Sequence, residues 1–346
     1  MKRLVGAALT ATLAALGPGL ADARDTIRIV GSSTVFPYTS AVADAFVEAG
    51  HFAAPDVVST GTGGGMAIFC QGIGPDHPDI TGASRAMTRE EWELCRANGV
   101  FDISEMLIGY DGLTVASAKS SPHDWALTPR DLYLALAAEV PVDGALAPNP
   151  HATWADVRAG LPDIAIRVMG PPPSSGTRDS FIELAIEKGC LYFTLLQDLQ
   201  ATDPARGETA CSALRTDGAF IEAGEDDEEI VAALLEDPEL VGVFGYSYLY
   251  EHDTTLKGAT INGIAPDLVT IAAREYPLSR PLFLYIKNDH RADVPDLYDF
   301  LQTYAEEMRP YGPLLAIGLV PIFDDIEYEA SVGEALDGVP MTPPES

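Results

Sequence analysis

Strand-like and helix-like runs alternate along this chain. Thr26–Val30 (TIRIV) is a short β-branched run, and Ala41–Val47 after it has the spacing of an amphipathic helix. Val57–Ser59 reads as a second short strand and Met66–Gln71 as a second helix. Further on, Ile164–Met169 reads as a strand, a Pro-rich turn follows, and Thr177–Lys188 (TRDSFIELAIEK) has helical periodicity. Alternation at these lengths predicts an α/β fold of mainly parallel sheets with helices on both faces. Two apolar runs depart from that rhythm. Met106–Ala116 (MLIGYDGLTVA) and Leu282–Ile286 (LFLYI) predict strands buried on both faces, or crossovers joining two lobes. As crossovers they divide the chain into lobe 1, residues 24–110 and 278–337, and lobe 2, residues 111–277, with a hinge between them. Pro141–Pro150 then falls in lobe 2 as a surface loop, and residues 338–346 read as a disordered tail.

The first 23 residues stand apart. Lys2 and Arg3 precede an uncharged stretch rich in Ala and Leu from Leu4 to Leu16, and Ala21-Asp22-Ala23 offers small residues at a cleavage site. This is the pattern of a cleaved secretory signal, with an apolar run too short to span a bilayer, so a periplasmic protein is expected. Roughly 320 residues remain, enough for two domains. The full sequence carries 21 Lys+Arg against 52 Asp+Glu, a formal net charge of −31. Such a surface repels nucleic acid and anionic lipid, and neither is expected as a partner. An anion bound here must be held by local dipoles and hydrogen bonds against the overall field.

Cys70, Cys95, Cys190 and Cys211 are an even set in an exported chain, which predicts disulfides. Four cysteines permit three pairings, and sequence proximity favours Cys70–Cys95 and Cys190–Cys211. No CxxC or HxxxH spacing occurs and the six His are scattered, so no metal and no cofactor are expected. The acidic run Glu222–Glu229 (EAGEDDEE) lacks the spacing of a calcium loop and reads as a solvated helix start.

Three segments share one design of strand, Gly/Ser/Thr turn and helix: Gly31-Ser32-Ser33-Thr34-Val35, Gly61-Thr62-Gly63-Gly64-Gly65 and Ser174-Ser175-Gly176-Thr177-Arg178. A helix start exposes unpaired N–H groups and the positive end of the dipole, and hydroxyls add donors there. One such turn is an N-cap. Three converging on a cleft would make a cage for a tetrahedral oxyanion. A fourth segment, Asp79-Ile80-Thr81-Gly82-Ala83-Ser84-Arg85, ends a strand in a small-residue turn with a cation. Arg85 and Arg178 are each able to offer an oxyanion a bidentate fork. Neither GxxxxGK[ST] nor GxGxxG is present, which disfavours nucleotides. The lack of a GxSxG elbow or an HExxH pair disfavours a periplasmic hydrolase.

The segments GSSTVFP, TGTGGG, DITGASR, SSGTRDSF, FGYSYL and SRPLFLYIK, in this order, resemble the phosphate-binding receptors of bacterial phosphate ABC importers. The likeness spans nearly the whole mature chain. It implies a two-lobed periplasmic-binding fold (type II) that closes on phosphate by a hinge, acts without catalysis as a monomer, and delivers its ligand to the importer's membrane subunits. Carried across, it gives the Thr34 hydroxyl and Val35 N–H, with Ser33 in the same turn, as lobe 1 ligands. Thr62 or Gly63 and then Ser84 follow, and the Ser175 hydroxyl with the N–H groups of Gly176 and Thr177 closes from lobe 2. Two positions depart from the family. Many members have an Asp after the GAS turn to accept the proton of HPO₄²⁻, where this chain has Arg85. Many have an Arg four residues before the serine of SGT, where this chain has Pro171. Arg85 and Arg178 are then the candidate cations, and Asp111 of the YDG segment the candidate acceptor or a turn cap. Sulfate, molybdate, phosphonate or arsenate receptors stay open as alternatives, as does a signalling or adhesion role on the same fold.

Overall fold

The computed structural model describes residues 26–344 apart from 52, 174, 225 and 226. The leader read in residues 1–23 therefore lies outside the described residues, as does Ser174 of the third turn. Among the described residues no helix is long and apolar enough to cross a membrane.

The main sheet is built from β1 (Arg28–Gly31), β2 (Asp56–Ser59), β3 (Ile80–Ala83), β4 (Ile103–Ala118), β5 (Val168–Gly170), β6 (Phe220–Glu222), β7 (Val241–Gly245), β8 (Leu256–Gly258) and β9 (Ser279–Lys287). Their order is β2-β1-β3-β9-β4-β7-β5-β6, with β8 also on β4. Pairing is parallel at both ends, as the strand–helix alternation dictates. It is antiparallel in the middle, where β9 and β4 meet each other and their neighbours.

β4 makes the fold two-lobed. Ile103–Gly112 pairs with β9, Leu113–Ala116 with β7, and Ala116–Ala118 with β8, so one strand serves both halves of the sheet. It is buried along almost its whole length, which explains its unbroken apolar run. The β9–β4 register shifts between Leu282 and Phe283. Gly109 sits at that bulge with φ +144°, and a Cβ there would come within 2.7 Å of the Val320 carbonyl oxygen. The gap lets Tyr110 and Val320 exchange backbone hydrogen bonds at 2.8 and 2.9 Å.

The helices begin earlier than the apolar spacing predicts, because their first turns carry proline, glycine or hydroxyl residues that the apolar period does not mark. α1 covers Phe36–Glu48, with Pro37 in its first turn and Tyr38, Val42 and Phe46 buried. α2 covers Thr62–Phe69, so the glycines of the second turn lie inside the helix. α3 is Arg89–Ala97. α4 runs from Gly176 to Phe181 and continues as a π-helical stretch, Ile182–Glu187, then Lys188–Cys190.

Three expectations are corrected. The Pro141–Pro150 region is a hairpin of Glu139–Val142 on Ala145–Pro148. Asp143 and Gly144 turn it, with φ of 50° and 83°, the two-residue turn that suits antiparallel strands. The segment after Gly338 is tied down as far as Met341, whose N–H donates to the Ile103 carbonyl at 2.8 Å, while the Ser104 hydroxyl donates to the Val339 carbonyl at 2.8 Å. The acidic run does lead into a helix, Glu228–Glu236, but its residue Asp227 is buried rather than solvated.

Both disulfides form between sequence neighbours, Cys70 with Cys95 and Cys190 with Cys211. The first lies in a small core with Met66, Phe69, Met87 and Tyr285. The second ties the end of the α4 helical run to the helix Pro204–Ser212 across 21 residues. Replacing Cys190 and Cys211 together by Ser should cost about 3 kcal/mol of stability, the closure entropy of a loop this long. Urea unfolding of both proteins at one pH measures it, and equal midpoints would show that the bridge constrains nothing the fold does not already hold.

Candidate functional site

The first and third Gly/Ser/Thr turns face each other across the lobes. Leaving β1, the Ser32 N–H donates to the Gly82 carbonyl at 2.9 Å. The Ser32 hydroxyl accepts from the Thr34 N–H at 3.2 Å, which sets the turn into α1. In the other lobe, the Ser175 hydroxyl caps α4 by accepting from the Thr177 N–H at 3.2 Å. The Ser33 hydroxyl then donates to Asp179 Oδ2 at 3.1 Å, and Thr34 Oγ1 lies 3.3 Å from the Ser180 hydroxyl and 3.5 Å from the Gly176 carbonyl. Gly176 makes the approach sterically feasible. A Cβ there would stand 2.8 Å from the carbonyl carbon of Ser33 and 2.9 Å from the nitrogen of Thr34.

Between the turns is a cavity of about 430 Å³. Ser33, Thr34, Ser175, Gly176 and Thr177 line it, with Tyr38, Ser59, Asp111, Asp227, Ser247 and Tyr248. Val35 is buried between Thr34 and Phe36, both lining residues. Burial and the nearby Asp111 push the Tyr38 hydroxyl well above the ordinary tyrosine range, so it stays a proton donor.

Arg280 is the residue that reading the sequence missed. It is 5% exposed, on β9 directly opposite Asp111 of β4. Its Nε donates to Asp111 Oδ2 at 3.3 Å, one terminal nitrogen to Glu183 Oε2 at 2.5 Å, and the other to Thr34 Oγ1 at 2.6 Å and to the Ser180 hydroxyl. The guanidinium therefore touches two residues that line the cavity and holds hydroxyls from both lobes. Asp111 lies within strand β4 and not in a turn, so its carboxylate answers the cation and caps no backbone. Glu183 sits on the π-helical stretch, a local widening common at functional sites.

The remaining candidates lie elsewhere. Thr62 and Ser84 bond to each other, hydroxyl to hydroxyl at 3.0 Å, and the Ser84 N–H donates to the Thr62 hydroxyl at 3.1 Å. Gly63 is exposed, with open space where a side chain would be. None of these three lines the cavity. Arg85 makes a two-pronged pair with Glu91 at 2.8 Å on each arm, beside the capping box that Thr88 and Glu91 form for α3. Arg178 stacks on the Phe220 ring at 4.3 Å and donates to the Pro171 carbonyl at 3.0 Å. Both expected cations thus have local partners, and neither guanidinium lines the cavity. Clustered hydroxyls were a visible signal, whereas a lone Arg at the head of an apolar strand was not.

The Arg85 pair predicts a pH effect. Burial raises the Glu91 carboxyl, but the hydrogen bonds from Arg85 and Thr88 outweigh it, and the group titrates below its ordinary value. The pair's stabilisation is therefore complete above the ordinary carboxylate range and lost as pH falls through the lowered value. Glu91→Gln should cost up to about 1 kcal/mol at neutral pH, as for a half-exposed pair. That difference should shrink in denaturation curves taken progressively into acid.

Comparison with known proteins adds to this geometry. The family model of the PBP superfamily domain matches residues 17–309. The chain is 32% identical over 286 residues to Protein SphX of Synechocystis, covering 81% of this chain and 74% of that protein. It is 27% identical over 294 residues to the Phosphate-binding protein PstS of Staphylococcus epidermidis, covering 83% and 76%. A crystal structure of a possible phosphate binding protein from Planctomyces limnophilus superimposes with a TM-score of 0.68 at 27% identity, over 90% of this chain and 98% of that one.

Proposed function

The chain belongs to the PBP superfamily, and on that footing we propose that it is an exported, non-catalytic receptor for inorganic phosphate. It binds the anion between its lobes and passes it to the membrane subunits of an ATP-driven importer. One observation carries the reading: hydroxyl-rich turns from both lobes meet around a cavity beside a buried guanidinium. The staphylococcal relative, a phosphate-binding protein, supports the choice of anion.

In this reading the Ser33 and Thr34 hydroxyls and the Val35 N–H hold phosphate from lobe 1. The Ser175 hydroxyl and the Gly176 and Thr177 N–H groups hold it from lobe 2. Arg280 replaces Arg85 and Arg178 as the cation of the site, reaching the anion's neighbours through Thr34. Thr62 and Ser84 hold each other and steady the lobe 1 loops behind the contacts. Asp111 accepts a phosphate proton. Sulfate has no proton to give at neutral pH, so the same carboxylate repels it, and a required hydrogen bond of this kind discriminates by about 10⁴. Closure of the lobes excludes water and strengthens each contact.

Calorimetric titration of the anion-stripped protein tests this. Phosphate should bind one-to-one, and sulfate should neither bind nor compete. Arg280→Lys keeps a charge but loses the fork, and should weaken binding at least tenfold, the loss of a charged hydrogen bond. Arg85→Ala should change affinity less than about threefold, because its role is the Glu91 pair. The opposite ranking of the two variants would move the cation back to Arg85, and no phosphate binding by the wild type would end the reading.

A further inference from the structure

The two Gly/Ser/Thr turns supply opposite walls of the cavity, and a further wall is built differently. Tyr38 of α1 and Ser247 of the helix Tyr246–Glu251 both line it, one from each lobe. Tyr38 is 6% exposed, and its hydroxyl is close enough to Asp111 and Arg280 for both to act on its proton. Among the described residues neither the Tyr38 nor the Ser247 hydroxyl has a hydrogen-bond partner. Gly318 stands between them with φ +103°. A Cβ there would come within 3.0 Å of Ser247 Oγ and 3.5 Å of the Tyr38 oxygen. The glycine therefore keeps a notch open, with hydroxyls from opposite lobes at its sides. A hydroxyl as buried as that of Tyr38 is costly to leave without an acceptor, and an oxygen in the notch removes the cost.

Resting on the phosphate reading above, we propose that Tyr38 and Ser247 contact the ligand, and that their notch holds the phosphate oxygen that neither turn nor Asp111 takes. A tetrahedral oxyanion presents four oxygens. In that reading the lobe 1 turn meets one, the lobe 2 turn a second, and Asp111 the one that carries a proton. The fourth is left for the wall that offers two O–H donors. Burial and Asp111 keep the proton on Tyr38, so the group donates to the anion and does not repel it. Because the two donors belong to different lobes, only the closed cleft presents both to one oxygen.

The notch makes the site selective for that oxygen. Phosphite carries a P–H bond in place of one oxygen of phosphate, with similar shape and charge otherwise. The backbone N–H groups of the turns point in fixed directions, whereas hydroxyls rotate to other acceptors. Phosphite therefore turns its hydrogen to the notch and forfeits the Tyr38 and Ser247 contacts alone.

The test is calorimetric titration of the anion-stripped protein with phosphate and with phosphite, at neutral pH and fixed ionic strength. Wild type should prefer phosphate by about a hundredfold, from two hydrogen bonds to a charged oxygen at about tenfold each. Tyr38→Phe keeps the buried ring and removes its hydroxyl. It and Ser247→Ala should each weaken phosphate about tenfold and leave phosphite within about twofold, and the double variant should bind the two anions alike. A purely structural role for either hydroxyl moves both anions together, so equal losses for phosphate and phosphite overturn the proposal. Equal wild-type affinity for the two anions overturns it too, as does phosphate affinity unchanged in both single variants, which would leave the notch to water. Absence of phosphate binding by the wild type would instead remove the reading on which the notch rests.

Discussion

A guanidinium buried to 5% exposure is the constraint around which this molecule is arranged. Taking such a charge out of water costs several kcal/mol unless its donors are met. Arg280 is met by Asp111 on the neighbouring strand, Glu183 on the π-helical stretch, and the hydroxyls of Thr34 and Ser180. Thr34 comes from the first lobe, whereas Ser180 and Glu183 come from the second. Full satisfaction of the cation therefore needs the lobes close together, so an electrostatic requirement and a conformational one coincide.

The sheet supplies the geometry for this. Arg280 and Asp111 are directly opposed residues of an antiparallel ladder, the arrangement in which cross-strand side chains interact most. A slip of one residue would send each to the other face of the sheet. The bulge at Leu282 and Phe283 contains that risk, because it fixes the register between the segment that pairs Arg280 with Asp111 and the segment that packs the first lobe. β4 then carries Asp111 to within two residues of the point where its partner changes from β9 to β7. The carboxylate thus sits at the base of the cleft, where the two lobes diverge.

The alternating runs, the two long buried apolar strands and the hydroxyl-rich turns were legible in the sequence because each is a local pattern. Ser33, Thr34, Ser175 and Thr177 announce a donor site by residue type alone. Arg280 does not, since a single cation at the head of an apolar strand has the look of an edge residue. Its partners are also 97 to 246 positions away. Arg85 and Arg178 drew notice because they adjoin small-residue turns, yet each has a nearer partner, Glu91 in one case and the Phe220 face in the other. A local pattern names which groups are near the turn, and only tertiary packing decides where a long side chain points. Asp227 was hidden differently, in an acidic run whose composition suggests a solvated surface although this one residue turns inward.

Net charge joins these points. A receptor at −31 opposes every anion at long range, but at physiological salt that field is screened beyond about 8 Å. Inside the cleft, at hydrogen-bond distances and away from water, each donor and each carboxylate acts individually. The acidic surface then bears mainly on the rate of encounter, and the cavity on which anion stays. Carboxylates inside the cavity are consistent with that division, since a group that repels anions in general becomes selective once it can be satisfied by an anion bringing its own proton. Selectivity in such a site comes from counting protons on the ligand as much as from the shape of the oxyanion.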